Sequence, residues 1–248
     1  MSRRPGAPLS LPMRARRVAQ TGAVTDIVDD LPPEASHRDA ERAFREAGWT
    51  PSGAGDWAFA LRSPDGVAAV RISPFDPVGP YTAALYREAA HTGQVPRLFA
   101  HRRLAGGGDL QVMEWLHAVD EKDAVAFHTA IAERAPHVAE LVDVVRRIHA
   151  RAARALPWCG PLDQNPSNIM RGSDGRLVAC DLYYADGPAL YATAGSDPTR
   201  FVTLLPESER RYLTEIPLAE SGPWDEASRA AMRRGIAVAD AARADQDA

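Results

Sequence analysis

Trp57, Phe59 and Leu61 alternate with small or polar residues, the period of two that one buried face of a strand requires. Ser63-Pro64-Asp65-Gly66 is a turn, and Val67 to Ile72 is a second apolar strand. Residues 49–72 therefore read strand, glycine turn, strand, tight turn, strand, which is an antiparallel meander and not a βαβ unit. Upstream, Ser36 is a candidate N-cap for a helix running to Ala47 and ended by Gly48. Downstream, residues 80–92 have a helical pattern that Val95-Pro96 breaks. Leu98–His101 and Leu110–Met113 can pair across Gly106-Gly107-Gly108. A short helix is expected over Ala124–Ala132. Val138, Leu141, Val142, Val145, Ile148 and His149 then share one face of a helix ending near Ala155, closed by Pro157 and Gly160-Pro161. Ile169-Met170 and Leu177–Cys180 read as strands joined at Ser173-Asp174-Gly175. The remainder is mainly helical. Residues 1–35, rich in Arg, Pro, Ala and Asp with little periodicity, read as a mobile arm. The fold class is α+β, with a β-rich part preceding an α-rich part.

Composition narrows the class of protein. At 248 residues the chain suffices for one large domain or two small lobes sharing a core. With 45% hydrophobic and 25% charged residues it resembles an ordinary soluble globular protein. The net charge of -4 argues against a surface built to coat nucleic acid or an anionic membrane. No apolar run approaches the roughly 20 residues of a membrane span. The N-terminal arginines Arg3, Arg4, Arg14, Arg16 and Arg17 lack the apolar stretch of a secretory signal, so a cytoplasmic location is expected. Cys159 and Cys180 form neither a disulfide framework nor a metal site, and Cys180, within an apolar run, reads as a small core residue.

The candidate chemistry lies in Asp163-Gln164-Asn165-Pro166-Ser167-Asn168 and in Asp181, which follows the apolar run Leu177–Cys180. Phosphoryl transfer needs such groups. One carboxylate orients the proton of the attacking hydroxyl, while an amide oxygen and a second carboxylate hold Mg²⁺ against the phosphates. A hairpin between Asn168 and Asp181 can bring the two together. The long apolar helix just upstream gives the loop a rigid base.

Together these segments resemble the aminoglycoside phosphotransferase and choline kinase branch of the protein-kinase-like superfamily, whose loop reads His-Gly-Asp-x-x-x-x-Asn, followed by a strand and a metal-binding Asp. The resemblance covers about residues 48–187. It implies a bilobal fold, with a β-rich N-lobe and hinge over 36–116 and a helical C-lobe over 117–248. It also implies ATP and Mg²⁺ as cofactors, Asp163 as catalytic base, and Asn168 and Asp181 as metal ligands. Gly53, Ala54 and Gly55 fall where that family has its phosphate-covering loop, and Arg71 in Ala69-Val70-Arg71-Ile72 takes the place of the phosphate-binding strand lysine. Glu88 resembles the helix glutamate that orients the strand base. Gln111–Leu116 resembles the hinge, with Met113 lining the adenine pocket and Glu114 and Leu116 offering backbone groups.

Three features depart from the family pattern. Pro161 and Leu162 precede Asp163 where the family has His and often Gly. Leu182 and Tyr183, not Phe-Gly, follow Asp181, and no Ala-Pro-Glu segment closes an activation loop. Asp186 is a second candidate for the metal carboxylate, but it does not directly follow the apolar strand. Asp186, Glu207, Glu209, Glu215, Glu220, Asp225 and Glu226 are acids available to a cationic acceptor, although acids in such numbers usually form a solvated face. The leading expectation is an ATP- and Mg-dependent phosphotransferase acting on a small-molecule hydroxyl. An atypical Ser/Thr protein kinase, with a protein substrate, and a pseudokinase or nucleotide-binding module remain open.

Overall fold

The computed structural model describes residues 25–219 and 225–247. Helix α1, His37–Glu46, starts on Ser36, whose side chain accepts from the Asp39 N–H while Asp39 accepts from Ser36 in return. This reciprocal capping box satisfies two otherwise orphaned donors. The helix ends before Gly48, which takes φ +85°, a conformation that costs glycine least.

Five strands follow as β1 Thr50–Ala54, β2 Phe59–Arg62, β3 Ala68–Ser73, β4 Leu98–Arg103 and β5 Asp109–Glu114. They form one antiparallel sheet in the order β1-β2-β3-β5-β4. Helix α2, Gly79–Glu88, connects β3 to β4. Leu61, Val70, Ile72, Leu110 and Val112 of the sheet pack with Phe44 and Trp49 in one core. Full burial of each large side chain there is worth about 1.5–3 kcal/mol.

The arm expected to be mobile is ordered where it is described. Val28, Leu31 and Ala35 are buried in the same core. Arg102 donates to the backbone oxygens of Val28 and Leu31, each at 2.8 Å. Three buried apolar side chains and a half-buried guanidinium outweigh the weak periodicity that suggested an unanchored segment. Residues 1–24 of that arm lie outside the described residues.

Strand β6, His117–Ala118, leads into helices α3, Glu121–Glu133, and α4, Ala139–Ala155. Short strands β7 Cys159–Leu162, β8 Ile169–Arg171, β9 Leu177–Ala179 and β10 Tyr183–Ala185 come next, then helices α5 Gly187–Ser196, α6 Pro198–Leu204 and α7 Glu226–Asp247. β8 and β9 form the expected hairpin, joined on its edge by β6, and β10 pairs with β7. A second core, built around α4, takes in Leu85 and Tyr86 of α2 as well as Phe201 and Ile236 of the C-terminal helices. The result is an α+β, bilobal fold: a small antiparallel sheet, a mainly helical second lobe, and a cleft between them. No helix among the described residues is long and apolar enough to cross a membrane.

Candidate active site

The loop after β7 is shaped by its own side chains. Asp163 Oδ1 accepts the Asn165 N–H at 2.9 Å, and Asn165 Oδ1 accepts the Ser167 N–H at 3.0 Å. These are successive Asx turns, the local chemistry that Asp, Asn and Pro favour. The Asp163 N–H donates to Leu182 O at 2.9 Å, and His128 Nε2 of α3 reaches Asn165 O at 3.0 Å. Beneath the loop, His149 Nε2 meets Gly160 O at 2.8 Å, and its ring stacks on Tyr183 at 5.9 Å. A histidine from α4 thus props the loop's base.

Asn168 and Asp181 meet as the hairpin spacing suggests. Asn168 Nδ2 donates to Asp181 O at 3.1 Å, and the Cys180 N–H donates to Asn168 O at 2.8 Å. Asp181 has φ +51°, a left-handed conformation that Asp tolerates better than most side chains. Its N–H donates to the hydroxyl of Tyr86 on α2 at 3.1 Å. Arg71 Nη2 lies 3.7 Å from Asp181 Oδ2, and Arg71 Nη1 donates to Asp76 Oδ2 at 2.7 Å.

Burial raises the pKa of Asp181; Arg71 opposes the shift, while Asp76, Asp163 and Asp109 add to it. The carboxylate nonetheless keeps 43% of its side-chain surface open to the cleft. For Arg71, burial works against the charge, but Asp181, Asp76 and Asp109 outweigh it and hold the guanidinium ionised. Burial pushes the Cys180 thiol up to about 12, so it is no nucleophile at neutral pH. It packs against the second core, as its apolar run suggested, and also lines the cleft.

Asp163, Asn168, Asp181, Arg71, Gly53, Ala54, Gly55, Met113, Glu114 and Leu116 all line one cleft of about 720 Å³, within the size range of small-ligand sites. Two of these residues have their backbone N–H engaged within the protein. The Gly55 N–H is engaged by Ala58 O at 2.9 Å, closing the hairpin turn. The Glu114 N–H donates to Arg97 O at 3.0 Å, and its side chain pairs with Arg176.

Glu88 is not the partner of Arg71 and does not line the cleft. It sits at the end of α2 and pairs with Arg147 at 2.8 Å and Arg151 at 3.5 Å on the outer face of α4. Tyr86 occupies the helix position that faces the cleft, and two residues further along is the other side of the helix. Sequence order alone put Glu88 in the site. Asp76 and Tyr86 were missed. Asp76 sits in Phe75-Asp76-Pro77, which reads as an ordinary helix-start signal.

The acids considered for a cationic acceptor are occupied elsewhere. Asp186 caps α5 by accepting the Ala189 N–H at 3.0 Å, and it is Asp181, not Asp186, that lines the cleft. Glu207 pairs with Arg211, Glu209 with Arg103, Glu215 with Arg38, and Glu226 with Arg233. Asp225 accepts from Ser228, and Glu220 lies outside the described residues.

The fit to a metal can be judged from the donors. Among the described residues no group of three or more His, Cys, Asp or Glu is arranged to hold an ion. An amide oxygen and one carboxylate on residues lining the same cleft suit Mg²⁺ carried on a nucleotide, since that ion takes one or two protein oxygens and completes its shell with phosphate and water.

No family model and no curated protein matches the chain. Solved structures do. The kinase domain of Mycobacterium tuberculosis PknI aligns at 13% identity over 76% of this chain and 96% of that one, with a TM-score of 0.29. WaaP, solved in complex with acyl carrier protein, aligns at 17% identity over 79% and 80%, with a TM-score of 0.32. An apo pseudokinase aligns at 14% identity over 78% and 84%, with a TM-score of 0.29. Superpositions this loose say nothing about the chemistry of the site. The fold class stands on the chain's own strand order and cleft.

Proposed function

We propose that this chain is an ATP- and Mg-dependent phosphotransferase of the aminoglycoside phosphotransferase and choline kinase type, moving the γ-phosphate to a hydroxyl of a small molecule. The observation that carries the reading is convergence. Arg71 of β3, Asp163 and Asn168 of one loop, and Asp181 after β9 are far apart in sequence and line one cleft. Asn168 and Asp181 are the residues that would hold Mg²⁺, which supplies charge neutralisation on the phosphates when bound. Asp163 orients the acceptor hydroxyl and takes its proton. Arg71 offers two donors to phosphate oxygens, a geometry that guanidinium suits. Met113 and Leu116 line the adenine end. Positioning and electrostatics do most of the work in such a site.

Asp163→Ala should abolish transfer from labelled ATP to a panel of hydroxyl compounds, a loss of at least 10²-fold by the usual weight of a general base. ATP affinity should stay within about threefold, because Asp163 is not among the phosphate or metal partners. Transfer at the wild-type rate in Asp163→Ala would remove Asp163 from the mechanism.

A second reading, a nucleotide-binding module without turnover, draws on the contact between Arg71 and Asp181, which partners the metal carboxylate internally. ATP binding without transfer to any small-molecule or protein acceptor would favour it.

A further inference from the structure

Arg71 takes its carboxylate partner from the loop that precedes α2. Asp76 retains only 2% of its surface. Its Oδ2 accepts from Arg71 Nη1 at 2.7 Å. Its Oδ1 accepts the N–H groups of Val78 and Gly79 at 3.0 and 2.8 Å, at the start of α2. Its backbone is held as well: the Asp76 N–H donates to Gly107 O at 2.9 Å, and its carbonyl accepts from Arg103 Nη1 at 2.5 Å. Arg103 Nη2 in turn meets Glu209 Oε2 of the second lobe at 2.5 Å. An unbroken polar chain thus runs Glu209, Arg103, Asp76, Arg71, Asp181, from the second lobe through the first and back to the cleft.

A buried Asp beside a buried Arg is most often only a structural ion pair. Two observations set this pair apart. The guanidinium faces the cleft and has the carboxylate of Asp181 as its second partner. The carboxylate expected from the face of α2, that of Glu88, is committed to the surface arginines of α4.

We propose that Asp76 is the positioning residue for Arg71, holding its guanidinium toward the nucleotide phosphates from the strand-to-helix loop in place of a carboxylate on the helix face. The inference rests on the phosphotransferase reading. It has a mechanical consequence. A carboxylate on a helix face leaves the base when the helix rotates. Asp76 is held by Gly107 and Arg103, outside α2, and meets the helix only at its first N–H groups, so rotation of α2 about its axis does not carry it away from Arg71. The pair is then built in, and Arg71 needs no helix movement to become competent.

Asp76→Asn keeps the side chain's shape and its Oδ1 acceptor for α2, and replaces the charged Oδ2 acceptor opposite Arg71 by an amide NH₂ that cannot accept from it. Isothermal titration of the full chain with ATP plus Mg²⁺, and separately with adenosine, separates positioning from packing, because adenosine carries no phosphate. Asp76→Asn should weaken ATP binding by about tenfold or more, the weight of a charge-assisted hydrogen bond, and leave adenosine within about twofold. Glu88→Gln should change neither. Equal loss for both ligands, or no loss, overturns the role of Asp76. A wild-type chain that binds neither ligand overturns the phosphotransferase reading, and the role of Asp76 with it. Should Asp76→Asn fail to fold, the side-chain ¹⁵N spectrum of Arg71 in the wild type and in Glu88→Gln decides: slow guanidinium rotation in both supports the anchor, and free rotation in either contradicts it.

Discussion

Asp181 holds a left-handed backbone that costs most L-residues about 1–2 kcal/mol and Asn or Asp least. Strain of this kind persists where the surroundings over-determine it, and here Tyr86, Asn168 and Arg71 all hold the residue. Its pKa is raised, foremost by burial. An acid whose folded pKa stands above its unfolded value costs stability while ionised, and regains it as pH falls through the folded pKa. Asp181→Asn keeps a residue suited to this backbone and removes the charge that its surroundings disfavour. The metal-free melting temperature should equal or exceed that of the wild type, while the Mg²⁺-dependent part of the ATP-induced thermal shift should vanish. A lower melting temperature with the Mg²⁺ response intact would remove Asp181 from the metal site. Asp181 was legible in the sequence because it directly follows an apolar strand. Asp76 was not, because an Asp ahead of a helix already has a reason to be there, and it does serve that end too.

At the scale of elements, legibility followed the range of the forces. Helix α1 was readable almost to the residue because Ser36, Asp39 and Gly48 act within one turn of its ends. Asp39 titrates at about 2, held down by the backbone N–H and then the hydroxyl of Ser36. Its folded pKa is below its unfolded one, so the stability it adds is complete above about pH 4 and is lost as pH falls toward 2. Asp39→Ala should cost about 1 kcal/mol at pH 7, and urea denaturation should show that gap narrowing between pH 4 and pH 2. A gap independent of pH would mean that the cap is not what holds α1. Strands β7 and β10 were not readable. Gly160-Pro161 resembles a helix terminator, and the pairing of Leu162 with Tyr183 is non-local. Only a tertiary partner makes so short a strand.

At the scale of the whole molecule, α2 and the segment after it pack on the second lobe, and two further connections join the lobes beside the cleft. The segment between β5 and β6 is one. The other is the segment after α6, where Glu209 pairs with Arg103, Glu215 with Arg38, the Tyr212 N–H with Gly106 O, and the Leu218 N–H with Asp56 O in the turn between β1 and β2. The sequence could announce two lobes through its order of patterns, but not this second crossing, which depends on side chains more than a hundred residues apart. Gly107 is its tightest point. A Cβ there would stand 2.1 Å from Glu209 O, on a backbone with φ +90°. Gly107→Ala should therefore cost about 1–3 kcal/mol and expose residues 206–218 to limited proteolysis. Unchanged melting and protease resistance would show that this crossing carries no stability. What the two connections enclose is the cleft, and the account stands on its contents. A crystal of the full chain with a non-hydrolysable ATP analogue and Mn²⁺, read by anomalous scattering, tests that claim directly. The account predicts a metal peak shared by the Asn168 amide oxygen and the Asp181 carboxylate, with the terminal phosphate toward Asp163 and Arg71 on the phosphates. A metal bound elsewhere, or a nucleotide absent from the cleft at saturating concentration, would contradict it.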